Sequence, residues 1–255
     1  MSKLNRFLSG HIAVALVVFA SSATALANGW EGSEDQRLFR SGDIAGVKRI
    51  IKERPELYSR VHPTALSEAI DRGQTELVKY LASLGWLEQC KKEPSCGDPF
   101  LTAAINEDFD LMEFLMVNGY PPSTISLQLT AGMHKYKVVE FHIANGIRGE
   151  STALRSAAKA KDIRMVELLL ANGSRGDPLA LYYAANAGDI NIVKVLCASG
   201  SDPDIMLPLE GRNTTAALEL AWSISNESMQ NEARVKLQEI LNYFKSGQCK
   251  KSAKP

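Results

Sequence analysis

Four cysteines and four histidines are the residues of this 255-residue chain best equipped for redox, metal or nucleophilic chemistry. Cys90 and Cys96 flank KKEPS, a polar stretch with a proline. They are not a C-x-x-C redox pair, and the short span suits a bridge that closes a local loop. Cys197 lies in a helical pattern and Cys249 lies beyond the last helix. They can pair if those helices pack side by side; the alternative is that Cys197 is a small buried apolar residue. Of the histidines His11, His62, His134 and His142, none falls in an H-E-x-x-H. His134 sits at a turn and His142 at a leucine position of an apolar pattern, where a buried, hydrogen-bonded imidazole is expected in place of a metal ligand. Neither a metal nor a cofactor is implied. No G-x-S-x-G, Walker glycine loop or G-x-G-x-x-G occurs, and no catalytic residue stands out. Asp43, Asp71 and Asp189 sit next to turns, where acids cap helices.

The N-terminus carries Lys3 and Arg6, then the uncharged apolar run Ile12–Ala20, then Ala25-Leu26-Ala27. A basic start, a short apolar core and an A-x-A site read as a secretory signal over residues 1–27, cleaved near Ala27. The run is too short for a permanent membrane span, and no second run is long enough. Residues 1–27 hold two cations and no acids, so a balance of 29 bases against 29 acids becomes −2 after cleavage. That balance argues against nucleic acid as the main partner. Residues 247–255, with Lys250, Lys251 and Lys254, read as a basic flexible tail.

The elements that position these residues recur. TALSEAIDRGQTELVKYLASLG, from Thr64 to Gly85, has apolar residues at helical spacing at Leu66, Ala69 and Ile70, and again at Leu77, Val78 and Leu81. Gly73 divides them. Helices this short need neighbours, because nucleation is costly and each buries little surface alone. Related stretches run Asp98–Gly119, Ile125–Gly146, Thr152–Gly173 and Leu179–Gly200, with a partial first unit at Leu38–Leu57 and a last pair from Ala216 and Val235. The glycines Gly85, Gly119, Gly146, Gly173 and Gly200 are placed to end helices in the left-handed conformation.

From about Asp35 to Phe244 the chain resembles the ankyrin repeat family. T-A-L-S-E-A at Thr64–Ala69, Gly73 and L-V-K-Y-L at Leu77–Leu81 follow its pattern, T-P-L-H-x-A, a glycine turn and a valine–leucine helix. The family's histidine is replaced by Ser67, Leu101, Gln128, Arg155 and Tyr182. The terminal glycines are 34, 27, 27 and 27 residues apart, against about 33 in the family. The expected fold is an all-α ankyrin-repeat solenoid of about seven helix-turn-helix units over residues 28–246, with most fingers trimmed to turns. The one long spacing exceeds the others by the length of CKKEPSC, so the cysteine loop reads as an insertion, either a contact element or a restrained excursion.

The resemblance implies a protein-binding module, not an enzyme. It suggests a contact strip just before the inter-helix turns, at Arg40, Asp71, Arg72, Asn106, Lys159 and Asn186. On the first helices Tyr182, Tyr183 and Trp222 are candidate anchors, or they fill gaps between repeats. Trp86 and Tyr120 follow terminal glycines, where stacking of turns is expected. The export signal points to the periplasm. Exported ankyrin-like proteins there include immunity partners of phospholipase toxins delivered by type VI secretion, so the expected partner is a secreted toxin or lipase. The alternative is a periplasmic scaffold or accessory protein for an envelope or redox enzyme.

Overall fold

The computed structural model describes residues 33–58, 63–147, 151–209, 212–225 and 230–252. The signal segment and His62 lie outside these residues. The chain forms two compact units that divide between Pro121 and Pro122.

Unit 1 holds three helix pairs. They are α1 (Glu34–Ser41) with α2 (Ile44–Glu53), α4 (Pro63–Asp71) with α5 (Thr75–Ser83), and α7 (Pro99–Ile105) with α8 (Phe109–Val117). A single turn, α3 (Pro55–Tyr58), follows the first pair, and α6 (Trp86–Cys90) with a 3-10 turn (Pro94–Cys96) follows the second. First helices stack in order, α1 on α4 and α4 on α7. The six apolar residues that define the repeat, Leu66, Ala69, Ile70, Leu77, Val78 and Leu81, are all at most 2% exposed. Burying a side chain of this size contributes roughly 1.5–3 kcal/mol, and only the neighbouring pair supplies the cover.

Unit 2 holds four pairs: α9 (Thr124–Gly132) with α10 (Tyr136–Ala144), α11 (Ser151–Lys159) with α12 (Ile163–Ala171), α13 (Pro178–Asn186) with α14 (Ile190–Ala198), and α15 (Ala216–Ile224) with α16 (Asn231–Lys245). First helices again stack, α9 on α11, α11 on α13, α13 on α15. In α11 the buried set is Ala153, Leu154, Ala157 and Ala158; in α13 it is Ala180, Leu181, Ala184 and Ala185. Adjacent residues are buried together because such a helix is covered both by its mate and by its stacked neighbours. Alanine at these positions lets the backbones approach. One strand pair is an addition to the all-α expectation. β1 (Leu207–Leu209) runs antiparallel to β2 (Arg212–Thr214), with Leu207 opposite Thr214, so the connector before α15 keeps a finger.

The terminal glycines take φ between 82° and 98°, as their placement implied. The turn inside each of the first six pairs also has one left-handed residue. Gly42, Gly73 and Gly188 supply it in three pairs, but Glu107, His134 and Lys161 supply it at φ near 60° in three others. A side chain there costs roughly 1–2 kcal/mol.

Both cysteine pairs are bridged, with Cα atoms 5.5 Å apart for Cys90–Cys96 and 4.9 Å for Cys197–Cys249. Cys197 and Cys249 are both fully buried. Part of the segment expected to be a flexible tail is therefore structured: Gln248–Ser252 form α17, the bridge ties it to α14, and the Lys250 ammonium lies 2.7 Å from Asp204.

Two stability measurements check this account. In urea unfolding, replacing Cys197 and Cys249 with serine should cost about 4 kcal/mol, and replacing Cys90 and Cys96 only about 2 kcal/mol, because the longer loop restricts the unfolded chain more. Lys161→Gly should stabilise by about 1 kcal/mol by removing left-handed strain.

Candidate protein-binding site

In unit 1 the proposed contact residues divide between structural and open roles. The Arg40 guanidinium at the end of α1 donates to Glu68 on α4, and its carbonyl accepts from Gln74 Nε2 at 2.8 Å. Asn106 Nδ2 donates to the carbonyls of Asp71 at 2.9 Å and Ile70 at 3.3 Å. Arg40 and Asn106 thus staple one repeat to the next. Asp71 and Arg72 are exposed, with Arg72 Nη2 3.6 Å from Glu68. Asp43 and Asp189 do cap helices, accepting from Gly46 and Ile192. Asp71 ends α4 instead of starting a helix.

In unit 2, Lys159 closes α11 and lies with Nζ 5.9 Å from the centre of the Tyr183 ring. Tyr182 and Tyr183 are half-buried with ring centres 5.4 Å apart, so they partly fill the space beside α11 as well as facing outward. Asn186 is exposed at the end of α13. Trp222 is 63% exposed on α15, and Leu218, four residues earlier on the same helix face, is 61% exposed. Spacing of four in a helix makes them neighbours.

Several polar contacts carry no obvious motif in the sequence. Asp162 is buried and caps α12 by accepting from Met165 N–H at 3.0 Å. It also accepts from His134 at 2.5 Å and from the Tyr136 hydroxyl at 2.8 Å, both on the preceding repeat. A carboxylate only accepts, so His134 Nδ1 carries the proton. Burial alone would raise the Asp162 pKa; the His134, Met165 and Tyr136 donors outweigh it, and the carboxyl is held below its ordinary range. A histidine oriented by aspartate also serves hydrolases, but there the other ring nitrogen faces a nucleophile. Among the described residues no serine, threonine or cysteine bonds to His134. Arg155, where the family has histidine, grips Asp177 with two bonds of 2.9 Å. The signal for these contacts was an acid at the helix start, Asp162 and Asp177, with a donor on the preceding repeat.

His142 is fully buried, as its leucine position implied. Its Nδ1–H donates to the Val138 carbonyl at 2.7 Å, and Nε2 lies 2.6 Å from the Ser126 hydroxyl, which also reaches the Ser123 carbonyl at 2.8 Å. No group of three or more histidine, cysteine or acidic residues suited to a metal occurs among the described residues.

The cysteine loop packs more closely than a free excursion. Its bridge is buried, the Ser67 hydroxyl donates to the Cys96 carbonyl at 3.4 Å, and residues 91–95 are exposed. Trp86 departs from the expected turn stacking: it is fully buried, with its ring centre 6.2 Å from Phe39 and 6.5 Å from Tyr58. Tyr120 donates to the Leu87 carbonyl at 2.7 Å; burial, with Glu88 and Asp98 nearby, pushes its pKa up to about 12.

Comparison with known proteins agrees with this architecture. Residues 100–206 match the family model for ankyrin repeats (three copies). The human ASB11 ankyrin repeat domain is similar in structure, with a TM-score of 0.55 at 15% identity, covering 81% of this chain and 97% of that one. No curated protein matches the chain in sequence. Residues 100–206 thus carry ankyrin repeats, and the chain has the fold of an ankyrin repeat domain. Among the described residues no helix is long and apolar enough to cross a membrane.

Asp162 is the part of this surface most open to test. Asp162→Ala should destabilise by about 1–2 kcal/mol, the usual cost of losing a helix cap. Because the folded-state pKa is depressed, this contribution is present above the unfolded carboxylate value near pH 4 (~3.9) and is lost as pH falls through the lower folded value. Urea unfolding of both proteins from pH 7 downward should show the gap closing only at the acid end.

Proposed function

We propose that the protein is exported to the periplasm and acts there as an immunity protein, binding a toxic phospholipase-type effector of type VI secretion and covering its active-site mouth. The supporting observation is that each unit's surface is already set by packing and fastened by one disulfide. Such a surface loses little conformational freedom on binding, so it can hold a partner tightly without chemistry of its own. Disulfides persist in oxidising compartments, which agrees with the basic and apolar pattern of residues 1–27. The choice of a toxin as partner comes from the resemblance to exported ankyrin-like immunity proteins.

The test is co-expression in the periplasm with the product of an adjacent lipase or toxin gene. A stoichiometric complex and restored growth are expected, and a version lacking residues 1–27 should fail to protect. A complex with an envelope or redox enzyme, or raised activity of such an enzyme, would replace this reading with the scaffold alternative.

A further inference from the structure

The first helices of unit 2 and the turns that follow them differ in charge from those of unit 1. In unit 1 the corresponding exposed residues mix signs, with Asp71 and Glu107 beside Arg40 and Arg72. In unit 2, Lys159 closes α11 and Lys161 follows it in the left-handed turn, both exposed. No carboxylate among the described residues pairs with either. Three acids at the turns and helix starts of unit 2 are already hydrogen-bonded. Asp162 takes His134, Tyr136 and the Met165 amide; Asp177 takes both arms of Arg155 and the Ala180 amide; Asp189 caps α14 through the Asn191 and Ile192 amides. The exposed Glu140 and Glu167 lie on the second helices, beyond the turn. Beside Lys159 the half-buried Tyr183 ring offers an apolar face, and the ammonium above it is held at 5.9 Å from the ring centre. Lys159 therefore stands beside an aromatic ring, two residues from Lys161, and neither cation is ion-paired with a carboxylate among the described residues.

We infer that Lys159, Lys161 and Tyr183 form a docking point for an acidic polypeptide segment, one that sets carboxylates against the two ammonium groups and an apolar side chain against the tyrosine ring. The inference rests on the protein-binding reading and is independent of whether the partner is a toxin. Complementary charge would speed encounter and fix the register of the bound segment. A polyanion such as nucleic acid fits less well, because two lysines in a chain of near-zero net charge release few counterions.

The experiment uses the mature disulfide-bonded protein and a short fluorescein-labelled peptide rich in glutamate with one leucine and one phenylalanine. Glutamine and lysine counterparts of the peptide serve as controls, and binding is read by anisotropy. The glutamate peptide should bind, and more weakly as salt is raised. Lys159→Glu and Lys161→Glu should each weaken binding about fivefold and together tenfold or more, by charge reversal at the contact. Tyr183→Ala should weaken the glutamate and glutamine peptides alike. Unchanged thermal melts show that the charge variants remain folded, and Lys159→Gln serves if one does not. Equal binding of the lysine peptide, unaltered binding by the charge variants, or binding only to anionic phospholipid vesicles would overturn the inference. Failure to protect against a toxin, with acidic-peptide binding intact, would overturn the proposed partner and leave the docking point standing.

Discussion

A helix pair of this size cannot cover its own apolar face, and that constraint governs the molecule. Leu66, Ala69, Ile70, Leu77, Val78 and Leu81 leave water only because the repeats before and after them close over both sides. Stability in each unit is thus a sum of small pair energies and interfaces between neighbours. The alanines at 153, 157, 180 and 184 follow from the same constraint, since larger side chains would hold the stacked backbones apart.

The architecture was legible because it is written repeatedly. One such stretch is weak; five helix-pair patterns in register place helices, turns and core. The terminal glycines and the buried His142 were readable for the same reason, each at a position whose role the other copies reveal. What escaped the sequence lies where copies differ. Glu107, His134 and Lys161 stand where a glycine was the model residue, and only backbone geometry shows that they take its conformation. Trp86 follows a terminal glycine like Tyr120, yet it turns inward to Phe39 and Tyr58, because the inserted segment bends the chain into a short helix there.

The candidate site was legible in part. Positions before the turns are solvent-facing, but exposure and availability for a partner are different properties. Arg40 and Asn106 reach along the stack and satisfy the adjacent repeat. Lys159 reaches only an aromatic ring. That distinction depends on which residue lies one repeat away in space, 24 to 35 positions away in sequence for these contacts, and periodicity gives the alignment without giving the rotamer.

The two bridges also impose an order on maturation. Cys90 and Cys96 emerge close together and can join before any later repeat exists. Once joined, they are removed from competition, and Cys197 is left with a single correct mate. Cys249 follows β1, β2, α15 and α16 in the chain, so the loop closed by its bridge encloses the whole last repeat. The second covalent closure therefore fastens the end of the chain back onto the repeat before it, and fraying from that end cannot carry α17 away from α14.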